Sequence, residues 1–131
     1  MTFALWTILF VILLPLPLAL VADVCRYREF GEFDNNNPRE QSARLSGLGA
    51  RAWAAQQNTW EAVAVYTPSV IVAHIAGVDP AHMTTTALLF CVARVLHSAF
   101  YLLDWGTPRS LIYFVSLGCC LNFFRLAAGA A

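Results

Sequence analysis

The strongest constraint on the fold is the presence of long apolar runs that contain almost no charge. The first 22 residues carry no charged side chain, and most of them are aliphatic or aromatic. Three further apolar stretches, each with at most one arginine, cover residues 62–78, 80–103 and 110–131. About 20 apolar residues span the hydrocarbon core of a bilayer, and unpaired backbone groups are costly there. The sequence therefore predicts an all-α integral membrane four-helix bundle.

Composition excludes several classes of function. Charged residues make up only 12% of the chain, about half the roughly 25% that is typical of soluble domains. Eight arginines balance eight acidic residues and there is no lysine, so a strongly basic surface for nucleic acid is excluded. So small a soluble protein could not hide this much apolar surface in one core.

Local patterns predict the bounds of the helices. We expect helices at about 3–24, 50–77, 80–104 and 108–128 of one domain, with a polar connection at about 25–49. The pairs Asp79-Pro80 and Thr107-Pro108 predict an N-cap followed by a proline in the first turn. Pro15, Pro17 and Pro68 predict kinks. A cleaved signal peptide is the alternative interpretation of the first run, which lacks the usual positive leader.

The arginines predict the orientation. Five of the eight lie in or beside the polar connection, and Arg109 flanks the connection between helices three and four, whereas the loop at Asp79 has none. Under the positive-inside rule both connections are cytoplasmic and both termini are outside. We expect a multi-pass protein of a bacterial inner (plasma) membrane.

The four cysteines show no metal-ligand spacing, and three of them lie in apolar runs. Cys119 and Cys120 point about 100 degrees apart on one helix, which suits neither a disulfide nor zinc. We interpret all four as small apolar residues of the bundle and expect no metal site.

Polar side chains form a stripe on each of the two central helices. A charge in a bilayer costs on the order of 2.5–3.5 kcal/mol, so such residues are candidate functional residues. The first stripe consists of Arg51, Asn58 and Glu61, and the second consists of Arg94, His97, Tyr101 and Asp104. Antiparallel packing places Glu61 and Arg94 at similar depth, and a purely structural ion pair between them is the alternative interpretation.

Arg109 and Ser110 lie in the predicted first turn of helix four. Free backbone N–H groups and the helix dipole favour an anion there. A thiol held at this point would have a lowered pKa, because positive charge stabilises the thiolate. The alternative is that Arg109 is only a flanking charge that fixes orientation.

Three local motifs resemble those of the MAPEG family, the membrane-associated proteins of eicosanoid and glutathione metabolism. Residues 55–61, Ala-Gln-Gln-Asn-Thr-Trp-Glu, resemble its helix-two motif. Residues 94–101, which begin with Arg and end with Tyr, are similar to its helix-three motif. Residues 108–110, Pro-Arg-Ser, match the arginine-serine pair that begins its helix four.

The resemblance implies a homotrimer with sites between subunits near the cytoplasmic side. It implies glutathione as co-substrate, a lipophilic electrophile as second substrate, and transferase or peroxidase activity without a metal. Arg109 and Ser110 would be catalytic. The tripeptide would be held by Arg51, Asn58, Glu61, Arg94, His97 and Tyr101.

The sequence departs from the family at two positions. Alanines 54 and 62 replace an arginine and a tyrosine of the eicosanoid enzymes, and Arg51, one turn away, would substitute for the arginine. Two other functions stay open. One is a non-catalytic trimer that binds membrane lipid or scaffolds another protein, and the other is a small proton-coupled exporter that uses Glu61.

Overall fold

The computed structural model describes residues 1–130, which contain helices and no strands. The six helices are α1 (Phe3–Leu13), α2 (Pro15–Phe30), α3 (Pro38–Ala43), α4 (Gly47–Ile75), α5 (Pro80–Leu102) and α6 (Gly106–Ala130). The predicted all-α class is confirmed.

The first predicted helix is divided in two and is longer than expected. Pro15 has no N–H to donate, and α1 ends two residues before it, at Leu13. Helix α2 does not end near residue 24 but continues to Phe30, where Gly31 adopts a left-handed φ of 76° and donates its N–H to the Tyr27 carbonyl. The charged residues 23–29 remain helical because the first residue that readily adopts this conformation is Gly31. Pro17 and Pro68 lie inside α2 and α4, which continue past them.

The connection from Gly31 to Ser46 is ordered by its own polar groups. Gln41 is 3% exposed; its side chain accepts the Asp34 N–H and donates to the Glu32 carbonyl. The Asp34 carboxylate accepts the backbone N–H groups of Asn36 and Asn37. The bond from Asn37 is the main cause of the lowered pKa of Asp34. These bonds and the short α3 give the predicted polar connection a defined course.

Three helical stretches are long and apolar enough to cross a membrane: Phe3–Phe30, Pro80–Leu102 and Gly106–Ala130. Helix α4 is long enough, with 29 residues, but its first half contains the polar stripe of Arg51, Asn58 and Glu61. Its composition therefore does not identify it as a span. Many large aliphatic and aromatic side chains on the outer faces are exposed, which suits a bundle surrounded by lipid.

The apolar core fills the half of the bundle near the α4–α5 loop. There α1 packs on α5 and α4, and α5 and α6 pack on each other. The Tyr66 ring stacks on Phe90 at 3.9 Å between centroids, and its hydroxyl lies 2.6 Å from the Thr7 Oγ1. At the other end α2 packs along α4. Packing in this apolar half thus fixes the relative positions of α4, α5 and α6, whose polar residues lie at the opposite end of the bundle.

The α5 and α6 boundaries follow local chemistry only in part. The Asp79 carboxylate accepts the Ala81 N–H at 2.7 Å, so the predicted cap of α5 is confirmed. The last helix was expected to start near Pro108 and starts two residues earlier, at Gly106. Asp104 has a φ of 62°, which turns the chain early, and the Arg109 N–H donates to the Trp105 carbonyl at 3.1 Å. Thr107 is therefore inside α6 and is not its cap.

Helix α4 approaches α2 closely at Gly49, and this gives the first testable prediction. A Cβ at Gly49 would lie 2.8 Å from the Cys25 Cβ and 3.0 Å from the Leu45 Cδ2. We expect Gly49→Ala to lower the free energy of unfolding by about 1–3 kcal/mol, as overpacking does. Gly118→Ala is the matched control, since a Cβ there meets nothing within 4 Å. Thermal unfolding in detergent measures both, and a Gly49→Ala protein as stable as Gly118→Ala would contradict the close approach.

Candidate functional site

Helices α4, α5 and α6 surround an open depression of about 280 Å³ at the end of the bundle that contains the α5–α6 corner. Five of the eight predicted site residues line it, and two further aromatic residues of α6 complete the wall. The lining consists of Asn58, His97, Tyr101, Arg109, Ser110, Tyr113 and Phe114.

Arg109 supplies the positive charge of this depression. Its guanidinium carbon lies 4.3 Å from the centroid of the Tyr101 ring, close enough for a cation–π interaction. Within residues 1–130 the ion pairs are Arg26–Asp23 and Arg51–Asp104, so no acidic side chain of this part of the chain neutralises Arg109. The arginine is positioned by an aromatic face and its charge remains available for an anion.

His97 is the most deeply placed side chain of the depression. It is 3% exposed, and its Nδ1 is buried without a hydrogen-bond partner in the described residues. The imidazole lies beside the rings of Tyr101 and Tyr113, with centroids at 5.6 and 6.4 Å. A buried polar atom without a partner is costly, so His97 is suited to hydrogen-bond a ligand that enters here.

Arg94 and Glu61 do not form the ion pair of the alternative, purely structural interpretation. The Arg94 Nη2 donates to the Asn58 Oδ1 at 2.9 Å and to the Asn58 carbonyl at 3.3 Å. The Asn58 Nδ2 in turn donates to the Glu61 carboxylate at 3.2 Å. Asn58 therefore connects the two charges, because its amide offers an acceptor to one and a donor to the other. Arg94 is 1% exposed, and its Nε has no partner within residues 1–130.

A small crevice of about 70 Å³ adjoins the depression. Asn58 and Tyr113 line both spaces. Glu61 and Arg94 line the crevice but not the depression. The apolar lining of the crevice includes Phe90 and Val65. The two adjoining spaces therefore offer a ligand both polar groups and apolar surface.

The start of α6 differs from the prediction in a way that matters for chemistry. The predicted free N–H groups near Arg109 are not available, because the Arg109 N–H is bonded within the helix and Pro108 has none. The Ser110 hydroxyl donates to the Gly106 carbonyl at 3.0 Å. An anion in the depression would therefore be stabilised chiefly by the Arg109 side chain.

Arg51 lies apart from the depression. Its Nε donates to the Leu102 carbonyl at 3.2 Å, and its Nη1 lies 3.8 Å from the Asp104 carboxylate. These contacts fasten α4 to the end of α5. The suggestion that Arg51 takes the place of the arginine missing at Ala54 gains no support from this position.

Two features of the site were not found from the sequence. Tyr113 joins the depression to the crevice, but it lies in an apolar run with nothing to distinguish it from a lipid-facing tyrosine. A second open cavity, of about 780 Å³, lies between α2, α3 and α4 and includes Arg26, Trp53, Trp60 and Glu61. It depends on the course of the polar connection, which periodicity does not describe.

The comparisons with known proteins agree with the resemblance seen in the motifs. No curated protein matches the sequence significantly. The model of the MAPEG family matches residues 3–129, which is nearly the whole chain. The chain therefore belongs to the MAPEG family, and it is a membrane protein with apolar helices.

Proposed function

We propose that the protein binds glutathione in the depression beside Arg109 and uses its thiolate against lipophilic electrophiles, as a transferase or peroxidase. The observation that carries this proposal is the Arg109 guanidinium, which is held over Tyr101 at 4.3 Å without an acidic partner among residues 1–130. A fixed positive charge beside a thiol favours the thiolate, which is the nucleophilic form.

The other groups of the site fit a zwitterionic tripeptide. Glutathione has two carboxylates and one amine. Arg94 and His97 each have a buried nitrogen without a partner in the described residues, and Glu61 offers a carboxylate in the lining of the crevice. Arginine binds carboxylates well, and a carboxylate suits an amine. No group of three His, Cys, Asp or Glu side chains within residues 1–130 could hold a metal ion, and the proposed chemistry requires none.

The proposed assembly is a homotrimer of protomers that each span the membrane four times, with α4 as the fourth span. The depression is open, so a neighbouring protomer at this face would enclose a ligand and exclude water. In an isolated bilayer span the polar stripe of α4 would be costly, whereas contact with protein on several sides accommodates it.

The proposed location is a bacterial inner membrane with both termini outside. Arg26, Arg28, Arg39, Arg44 and Arg51 occupy the end of α2, the polar connection and the start of α4. Arg109 lies near the start of α6, on the same end of the bundle as Arg51 and Leu102. This clustering supports a single arginine-rich cytoplasmic end.

Glutathione binding can be tested by thermal unfolding of the purified protein in detergent. We expect millimolar glutathione to raise Tm, because a ligand that binds only the folded state stabilises it. The control is the same tripeptide with alanine in place of cysteine, which should stabilise less because it cannot supply a thiolate for Arg109. Equal stabilisation by both peptides would contradict the role of the thiol, and no stabilisation by either would contradict binding.

A non-catalytic protein that binds lipid or scaffolds a partner is the second candidate function. Alanines 54 and 62 remove two side chains that the eicosanoid enzymes have, and the Ser110 hydroxyl is engaged by its own helix. A folded trimer that retains lipid and neither binds glutathione nor conjugates it would favour this function.

A further inference from the structure

Arg125 is a charged residue in an otherwise uncharged part of an apolar span. It is the only ionisable side chain between Ser110 and Ala130 apart from two cysteines and Tyr113, and it lies on the exposed outer face of α6. A charge facing lipid is costly. The thiol site does not account for it, because Arg109 and Arg125 are 16 positions apart on one helix.

The guanidinium is anchored on one side by a hydrogen-bonded chain between α6 and α5. Its Nε donates to the Asn122 Oδ1 at 2.9 Å, and the Asn122 Nδ2 donates to the Thr86 Oγ1 at 2.9 Å. Thr86 is buried and donates to the His82 carbonyl at 3.3 Å. Arg125 is exposed, and within residues 1–130 its two terminal nitrogens make neither a hydrogen bond nor an ion pair.

The depth of Arg125 matches a headgroup boundary. Sixteen residues of α-helix cover about 24 Å, and the hydrocarbon core is about 30 Å thick. If Arg109 lies at one boundary, the Arg125 backbone lies about 6 Å inside the other. A long arginine side chain reaches across such a distance to the polar layer.

We propose that Arg125 binds the phosphate of a membrane phospholipid in the leaflet opposite Arg109. A guanidinium held by its Nε presents two parallel N–H donors, which match two phosphate oxygens. Leu121, one turn before Arg125, and the adjacent Phe124 are 61% and 46% exposed, and they offer an apolar surface to the acyl chains. This site does not depend on the proposed thiol chemistry.

Thermal unfolding of the full chain in a neutral detergent tests the proposal with three probes. They are phosphatidylglycerol, a diacylglycerol with the same acyl chains, and inorganic phosphate. We expect phosphatidylglycerol to raise Tm more than the other two. In Arg125→Gln its apparent affinity should fall about fivefold, which corresponds to one arginine near a lipid surface. Arg28→Gln, an exposed arginine at the other end of the bundle, should retain the wild-type affinity.

Four results would overturn the proposal. The first two are equal stabilisation by diacylglycerol and stabilisation by inorganic phosphate alone. The third is an unchanged lipid affinity in Arg125→Gln. The fourth is a change in the mass of the assembly in that variant, which would place Arg125 at a contact between copies. If Arg125→Gln does not fold, Arg125→Lys replaces it. Lysine retains the charge but not the bond to Asn122, so it should bind phosphatidylglycerol more weakly than wild type and still prefer it over diacylglycerol.

Discussion

Replacing Arg109 by glutamine should lower kcat/KM for conjugation of glutathione to an electrophilic aryl halide by about 10²- to 10³-fold. This is the loss seen when one preorganised donor to a developing anion is removed from an enzyme. In this reaction the thiol loses its proton to solvent, the thiolate sulfur forms a bond to the aryl carbon, and the halide leaves with its bonding electrons. Arg109 acts on the first step, because its charge stabilises the thiolate.

The structure indicates why no other group should compensate. The backbone N–H of Arg109 is bonded to Trp105, and the Ser110 hydroxyl donates to Gly106. The guanidinium on the Tyr101 ring is therefore the main positive group at the position proposed for the thiol. Arg109→Lys should give an intermediate rate, since it keeps the charge but loses the planar contact with the ring.

The assay uses saturating glutathione and varied aryl halide, with unfolding measured in parallel. Arg28→Gln is the matched control, because this exposed arginine is outside the depression and should leave the rate unchanged. If Arg109→Gln conjugates glutathione as fast as wild type, the proposed thiolate role is wrong. If wild type shows no rate above the uncatalysed reaction but binds glutathione, only the catalytic half of the proposal fails.

Periodicity predicted much of the fold because the bilayer allows few alternatives. Long uncharged runs can only be helices there, and α5 begins at the predicted cap, Asp79. The errors lie at helix ends, where the backbone conformation of a single residue decides where the helix begins or ends. Gly31 and Asp104 adopt left-handed conformations that end α2 late and start α6 early, and hydropathy contains no information about either.

Sequence patterns predicted most residues of the candidate site, but they did not predict which of these residues hydrogen-bond to each other. Helical spacing placed Asn58, Glu61 and Arg94 on facing stripes, and the two charges suggested an ion pair. Which acceptor the buried arginine takes depends on sub-ångström geometry between helices, and Asn58 is 2.9 Å away. Arg51 belonged to the same stripe as Asn58, but it contacts the Leu102 carbonyl and the Asp104 carboxylate and does not line the depression.

Asn58→Ala should be the most destabilising single substitution at the site, with a loss of about 3 kcal/mol in the free energy of unfolding. Alanine removes the Oδ1 that accepts from Arg94 at 2.9 Å. The guanidinium, in a residue that is 1% exposed, then keeps only the 3.3 Å hydrogen bond to the backbone carbonyl of residue 58. Thermal or denaturant unfolding in detergent measures the effect. Gln57→Ala, on the adjacent exposed residue, is the control and should change stability by less than about 0.5 kcal/mol.

The cause of that loss can be separated from simple loss of packing by a double variant. If Asn58→Ala destabilises because it strands the buried charge of Arg94, then removing the charge as well should restore stability, since an apolar residue of similar length needs no acceptor. Arg94→Met combined with Asn58→Ala should therefore be more stable than Asn58→Ala alone, a non-additivity that independent sites do not show. The opposite result is additivity, in which adding Arg94→Met to Asn58→Ala costs as much stability as Arg94→Met costs alone. That result would show that the two side chains contribute separately and that Asn58 does not connect Arg94 to Glu61.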